Sequence, residues 1–405
     1  MITGYDIVCL ATSSWEMPYG SRQELMSRLA RRNRVLFVEY QAHWLHPLRY
    51  PRLRRSAGRV PGRLQVVQER LWVYTPPFGM PGGLEVGAIN RWNQWRLGWA
   101  VRRVMRRLGF QHPVLWIYPP YAAPLLGRLG ERLSVYHCIE AFSRETASSR
   151  RQRWMTEYER QLATRCDVVA ASTQHLCRSL ARWRCDVLYV PPGVDMETFN
   201  PERTTEEPGA LRGFARPIVG YVGSIDRRVD LDLVESVAQA FPRASVVLVG
   251  PIHKRLDVSR LRRLANVRLI GWQPKSAVPA FIQRMDVCLI PYHCSSFAEA
   301  ILPLKLFEYL AMRKPVVATA LHELKAYETM IAVAHTREAF LDAVREALQR
   351  PSALASGMAP ASWDARIETV SLILNRLLSS DETVSVSTSE RPERGGPSAA
   401  ALGEE

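Results

Sequence analysis

The sequence predicts an α/β chain of two Rossmann-like domains, and three observations carry that prediction. Short apolar runs rich in β-branched residues alternate with helical patterns along most of the 405 residues, the signature of βαβ units and parallel sheets. The alternation restarts after a Pro- and Gly-containing stretch at residues 190–201, VPPGVDMETFNP. A chain of this length also holds two domains of ordinary size, each with its own core. The expected division is 1–195, 196–378 and a tail at 379–405.

Residues 7–10 open the first series as a strand. A loop from Ser13 to Gly20 follows, with Ser21 as the N-cap of a helix over 22–32. Residues 34–39 form the second strand, and parallel pairing calls for a right-handed crossover. Further strands are expected at 71–74, 114–118, 134–137 and 167–171, with a helix at 149–163. The second series runs through strands 218–223, 245–250, 267–271 and 286–291 and helices 231–240 and 278–284. It ends in PLKLFEYLAMRKPVVAT, residues 303–319. There Leu304 to Met312 carry apolar side chains at spacings of three and four. Pro303 precedes them where a missing N–H costs nothing, and Arg313-Lys314-Pro315 stops the helix before a buried strand. From Ser379 the chain has hardly an apolar residue, so a disordered tail is expected.

No uninterrupted apolar run approaches the roughly 18 residues of a membrane span, and the first residues carry no basic start or cleavage site of a signal peptide. Seven scattered cysteines without a CxxC pair argue against a disulfide framework or a zinc site and suit a reducing cytoplasm. The net charge is +15, and only five of the 54 basic residues are lysines. Arginines concentrate at 49–59 and at 91–107, where Trp92, Trp95 and Trp99 fall at helical spacings of three and four. Two readings stay open: a segment lying on an anionic membrane surface, or tryptophans packed into the core. The charge alone would also suit nucleic acid, but no recognition module accompanies it.

The stretch from residue 287 to 319 reads as strand, loop, helix N-terminus and strand, the arrangement that cradles phosphate. Lys305 could meet that phosphate or pair with Glu308 three residues on; Glu308 could accept from sugar hydroxyls. The loop Gly223-Ser224-Ile225-Asp226-Arg227-Arg228 offers backbone N–H groups and cations to a diphosphate. Gly20 would let backbone approach a phosphate closely. His137 and Glu140 end a strand; the imidazole could hydrogen-bond a sugar and the carboxylate could orient a hydroxyl. A satisfied core histidine is the alternative. Trp272 beside Gln273 could stack on a base or pack at a rim. His43 and His46 lack carboxylate or cysteine company and read as surface loop.

The segment 303–319 resembles the donor-binding motif of the retaining GT-B glycosyltransferases, above all family 4, and its PLKLFEYLA resembles the teichuronic-acid and exopolysaccharide transferases. Residues 190–201 resemble the "PNGVD…F" signature that ends the first domain of that family. The resemblance runs from the first strand to about residue 375. It implies two Rossmann-like domains facing a central cleft, with a nucleotide-sugar held by Leu304, Lys305 and Glu308, the last on the ribose. A basic pair in the 223–228 loop would hold the phosphates, and the base would rest by Trp272-Gln273. The fuller pattern has a second glutamate where this chain has Ala300. The implied activity is retaining transfer from a UDP- or GDP-sugar to a glycan or lipid-linked acceptor in cell-surface polysaccharide synthesis. It would occur at the inner face of the cytoplasmic membrane, without a cofactor or a bound metal. Two rivals remain: a degenerate scaffold that binds nucleotide-sugar or glycan, for which Ala300 speaks, and a sugar-nucleotide epimerase of the same fold.

Overall fold

The computed structural model describes residues 1–16, 20–43, 60–142, 148–203, 206–294, 300–350 and 360–387. Eight strands make the first sheet: β1 (Asp6–Leu10), β2 (Arg34–Val38), β3 (Leu64–Gln68), β4 (Leu71–Tyr74), β5 (Val114–Ile117), β6 (Leu133–Cys138), β7 (Val168–Ala171) and β8 (Leu188–Tyr189). Their order is β3-β4-β2-β1-β5-β6-β7-β8, parallel except where β3 runs against β4. The second sheet holds β9 (Ile218–Val222), β10 (Ser245–Val249), β11 (Val267–Gly271), β12 (Val287–Ile290), β13 (Val316–Thr319) and β14 (Ala332–Ala334). It is parallel throughout, in the order β11-β10-β9-β12-β13-β14. Strand order reverses between β1 and β5 and between β9 and β12. Ligands of open α/β sheets bind outside the carboxyl ends of the strands at such points.

The central strands are largely apolar and buried because both sheet faces are covered there, whereas the edge strand β3 is partly exposed. In β1 the residues alternate between two cores. Val8 and Leu10 pack with Leu97, Val101 and Val104 of the helix Gly87–Leu108 and Leu162 of the helix Ser149–Arg165. Ile7 and Cys9 pack with Leu25 and Met26 of the helix Ser21–Leu29 and with Trp363, Ile367 and Leu374. The second sheet has one continuous core running through β9, β12 and the helix Leu304–Ala311. All seven cysteines are free thiols. Among the described residues no helix is long and apolar enough to cross a membrane.

The structure corrects three expectations and decides a fourth point that the sequence left open. Helix Trp363–Ser387 returns to the first sheet, so residues 363–378, expected in the second domain, complete the core of the first. The reason is its apolar stripe, Ile367, Val370, Leu374 and Leu378, which needs the uncovered face beside β1. That helix also runs nine residues past the expected boundary at 378, and 388–405 lie outside the described residues. Gly20, not Ser21, is the N-cap of the first helix, because Gln23 Oε1 accepts from the Gly20 N–H at 3.1 Å and fixes the turn there. Of the two readings left open for Trp92, Trp95 and Trp99, core packing is set aside, since all three are exposed. Polar residues take the inner face instead: Asn93 both donates to and accepts from the backbone of Met80, and Asn90 donates to the Tyr121 carbonyl.

Candidate functional site

The end of β9 and the end of β12 come together over Lys305. Its ammonium is buried and donates to the hydroxyls of Tyr221 and Tyr292, both at 2.7 Å. It also lies 4.0 Å from the centroid of the Tyr221 ring, a cation–π contact that offsets part of its lost hydration. Burial still pulls its pKa below the ordinary lysine value, with Tyr292 opposing. Gly223 follows β9 with φ +136°, and a Cβ there would lie 2.6 Å from Lys305 Nζ. A glycine is the residue that permits both the backbone and the cation. The alternative, an ion pair of Lys305 with Glu308, is not made: the two tyrosines take the ammonium, and Glu308 feels its charge only at longer range.

The neighbouring loop supplies a second cation. Arg228 grips Asp226 through Nε at 2.9 Å and Nη2 at 2.6 Å, and its guanidinium lies 5.9 Å from the Tyr292 ring centroid. Burial raises the Asp226 pKa, but the Arg228 bonds outweigh it and hold the carboxyl below its usual value. Ser224 offers its carbonyl to Tyr221 Oη at 2.8 Å. Of the two arginines, Arg228 belongs to this cluster and Arg227 is exposed. Trp272 is exposed at a rim, beside half-buried Gln273.

Glu308 lies one turn along the helix from Lys305. Burial pushes its pKa up to about 7, moderated by Lys275 and Lys305. Lys275 belongs to the second unit and pairs with Glu24 of the helix Ser21–Leu29, with Asp195 at 3.7 Å from the same ammonium. Arg28 also pairs with Glu24 and reaches Asp195 at 3.4 Å. Glu308 therefore sits beside an ionic seam joining the two sheets. Gly20 meets it from the first unit: a Cβ there would be 3.9 Å from Leu304 Cδ1, and Leu304 packs on the first core. Ala300 is buried in that first core as well.

Across the seam, the carboxyl ends of β1, β5 and β6 hold a buried polar group of residues. His137 stacks on Tyr118 with ring centroids 5.2 Å apart. Among the described residues neither ring nitrogen has a hydrogen-bond partner, and the Tyr118 hydroxyl, Thr12 Oγ1 and Ser13 Oγ are equally unpartnered. Burial lowers the His137 pKa to about 3, helped by the Arg22 charge. The imidazole is thus neutral at ordinary pH, which suits it to hydrogen bonding and not to proton transfer. Arg22 Nη1 holds Glu140 at 3.3 Å. Sequence reasoning missed Tyr221, Tyr292, Lys275, Glu24 and Arg22, and named Asp226 only as part of its loop. Arg22 and Glu24 stand in the first turn of their helix, a place that could have singled them out, whereas the two tyrosines meet only through the sheet order.

Residues 216–350 match the family model described as Glycosyl transferases group 1. Over 207 residues the chain is 31% identical to TuaH of Bacillus subtilis, named for a teichuronic acid biosynthesis glycosyltransferase, with 50% of this chain and 48% of that protein aligned. It is 27% identical over 184 residues to a D-inositol 3-phosphate glycosyltransferase of Corynebacterium jeikeium, covering 40% and 43% of the two chains. The matches span less than half the length of these relatives. Among solved structures, sucrose-phosphate synthase from Thermosynechococcus elongatus superposes with a TM-score of 0.69 at 15% identity, over 93% of this chain and 100% of that one. Anabaena HepE, solved with UDP and glucose, gives 0.63 at 15% identity over 92% and 100%.

Proposed function

Starting from residues 216–350 as a group 1 glycosyltransferase domain within a GT-B fold, we propose that the protein transfers a sugar from a UDP- or GDP-sugar, with retention and without a bound metal ion. The acceptor is a glycan or lipid-linked glycan of a cell-surface polysaccharide, met at the inner face of the cytoplasmic membrane. The observation that carries this reading is Lys305, a buried cation fixed by two tyrosine hydroxyls at the β9–β12 switch point. Such a charge needs no reorganisation when negative charge grows on a leaving diphosphate, so it acts in the transition state. Arg228 and the backbone after Gly223 add to it.

In this account the anomeric carbon–oxygen bond breaks with its electron pair passing to the diphosphate. The acceptor oxygen bonds to the anomeric carbon on the same face, and its proton passes to the released phosphate oxygen. Glu308 accepts from the ribose hydroxyls, and neutral His137 hydrogen-bonds the sugar. Arg22 and Glu140 orient the acceptor. The similarity to TuaH supports a polysaccharide acceptor, and the UDP-bound relative supports a nucleotide donor.

A second reading, a nucleotide-sugar-binding scaffold, rests on Ala300, whose methyl group fills the first core at the place of the resemblance's other glutamate. The test is incubation with each sugar nucleotide and a bacterial lipid extract, following nucleoside diphosphate release and the anomeric configuration of the product. Release with a retained anomer supports transfer. Binding without release would favour the scaffold.

A further inference from the structure

The helix Gly87–Leu108 has two unlike faces, and among the described residues only one is packed by the fold. Leu97, Val101, Val104 and Met105 enter the first core, while Trp92, Trp95 and Trp99 remain 40, 54 and 52% exposed. These three indoles fall at spacings of three and four on one side of the helix, together with Arg96, Arg102, Arg103 and Arg106. The helix contains six arginines and no acidic residue. Arg96 lies over Trp92 at 4.8 Å and Arg103 over Trp99 at 5.8 Å. Arg102 donates to the Arg128 carbonyl. Among the described residues no carboxylate neutralises any of the six.

We propose that this face docks the protein on an anionic lipid bilayer, with the indoles at headgroup level and the arginines on lipid phosphates. Charge complementarity selects that occupant. An unneutralised row of guanidinium groups answers a continuous sheet of negative charge, and tryptophan is the side chain favoured where an apolar surface meets water. The helix follows β4, so its N-terminus lies at the carboxyl edge of the first sheet, the edge that holds His137. Beside that N-terminus opens a cavity of about 1100 Å3 lined by Arg91, Arg150, Arg153 and Trp154, with Glu85 and Glu157 also on its wall. A bilayer on the Trp face therefore borders the acceptor side of the molecule, which deepens the proposed function. It rests on that reading only for what the acceptor is; docking itself is measured without activity.

The test uses the full chain, sedimented with phosphatidylcholine vesicles with and without phosphatidylglycerol. The expected result is co-sedimentation with the anionic vesicles alone, a blue shift of tryptophan emission, and release by salt. The triple variant Trp92→Ser, Trp95→Ser, Trp99→Ser should lose bound fraction on the order of tenfold, as should Arg96→Ala with Arg103→Ala. Both should keep the wild-type melting temperature, since exposed side chains contribute little to stability. Absence of wild-type binding to anionic vesicles, or equal binding by the triple variant, overturns the proposal. So does a wild-type dimer in size exclusion that the triple variant abolishes without any vesicle binding, which would assign the face to a second copy. Vesicle binding with no response to any nucleotide would leave the docking intact and remove the enzymatic reading instead.

Discussion

A Cβ on Gly223 would stand 2.6 Å from the Nζ of Lys305, so the turn after β9 and the buried cation occupy space that only a glycine leaves free. Gly223→Ala should push the ammonium off the two tyrosine hydroxyls and strain a backbone held at φ +136°, at a cost of about 1–3 kcal/mol. Nucleotide affinity should fall on the order of tenfold or more while the protein still folds. Calorimetric titration beside a melting curve checks both, and an unchanged affinity would separate Gly223 from the donor site.

Glu308 gives a pH-dependent prediction. Its carboxyl is lifted from the ordinary 4.5 to about 7 by burial, so the folded state holds a proton there that the unfolded chain has released. Stability from this group is whole below pH 4.5 and is lost as pH rises through 7. Glu308→Gln should therefore melt higher than wild type at pH 8, by roughly 1–2 kcal/mol after allowing for partial exposure, and equally at pH 4. Its transfer rate should fall at both. A variant that melts lower at pH 8 would contradict this environment for the carboxyl.

The seam between the sheets has its own anchor. Glu323 accepts from the backbone N–H of Gln174 at 2.9 Å and of His175 at 2.7 Å, capping the helix Gln174–Ala181 from the other unit. Thr173 takes a third N–H, that of Leu176, at 3.1 Å. Glu323→Ala leaves two donors without their carboxylate, and roughly 1–3 kcal/mol should be lost. The melting temperature should drop several degrees and proteolysis near residues 190–201 should quicken. A wild-type melting curve would show that the cap does not hold the units together.

How far the sequence carries these conclusions differs from residue to residue. Lys305 and Glu308 were legible because Pro303 starts their helix and a buried strand ends it. The helices 231–240 and 278–284 and the strand 267–271 match their expected bounds, their periodicity being unbroken. Tyr221 and Tyr292 were not legible. They meet only because β9 and β12 are sheet neighbours although β10 and β11 come between them in sequence. The tryptophans at 92, 95 and 99 carry a spacing that serves core and surface alike. What decided it was hydrogen bonding, since Asn90 and Asn93 find backbone partners inside and leave the indoles outside. Helix Trp363–Ser387 has a readable stripe, but which sheet receives it depends on an open face next to β1 that no local pattern announces.

The central claim is that Lys305 is a cation waiting for a diphosphate. The measurement that tests it most directly is the melting temperature of wild type and Lys305→Met across UDP, GDP, ADP and their sugar conjugates. A ligand that binds only the folded state stabilises it by mass action. The account predicts a rise with one base family for wild type, and a folded Lys305→Met protein in which that rise is absent. A wild-type protein indifferent to every nucleotide, or a variant that responds as wild type does, would contradict it.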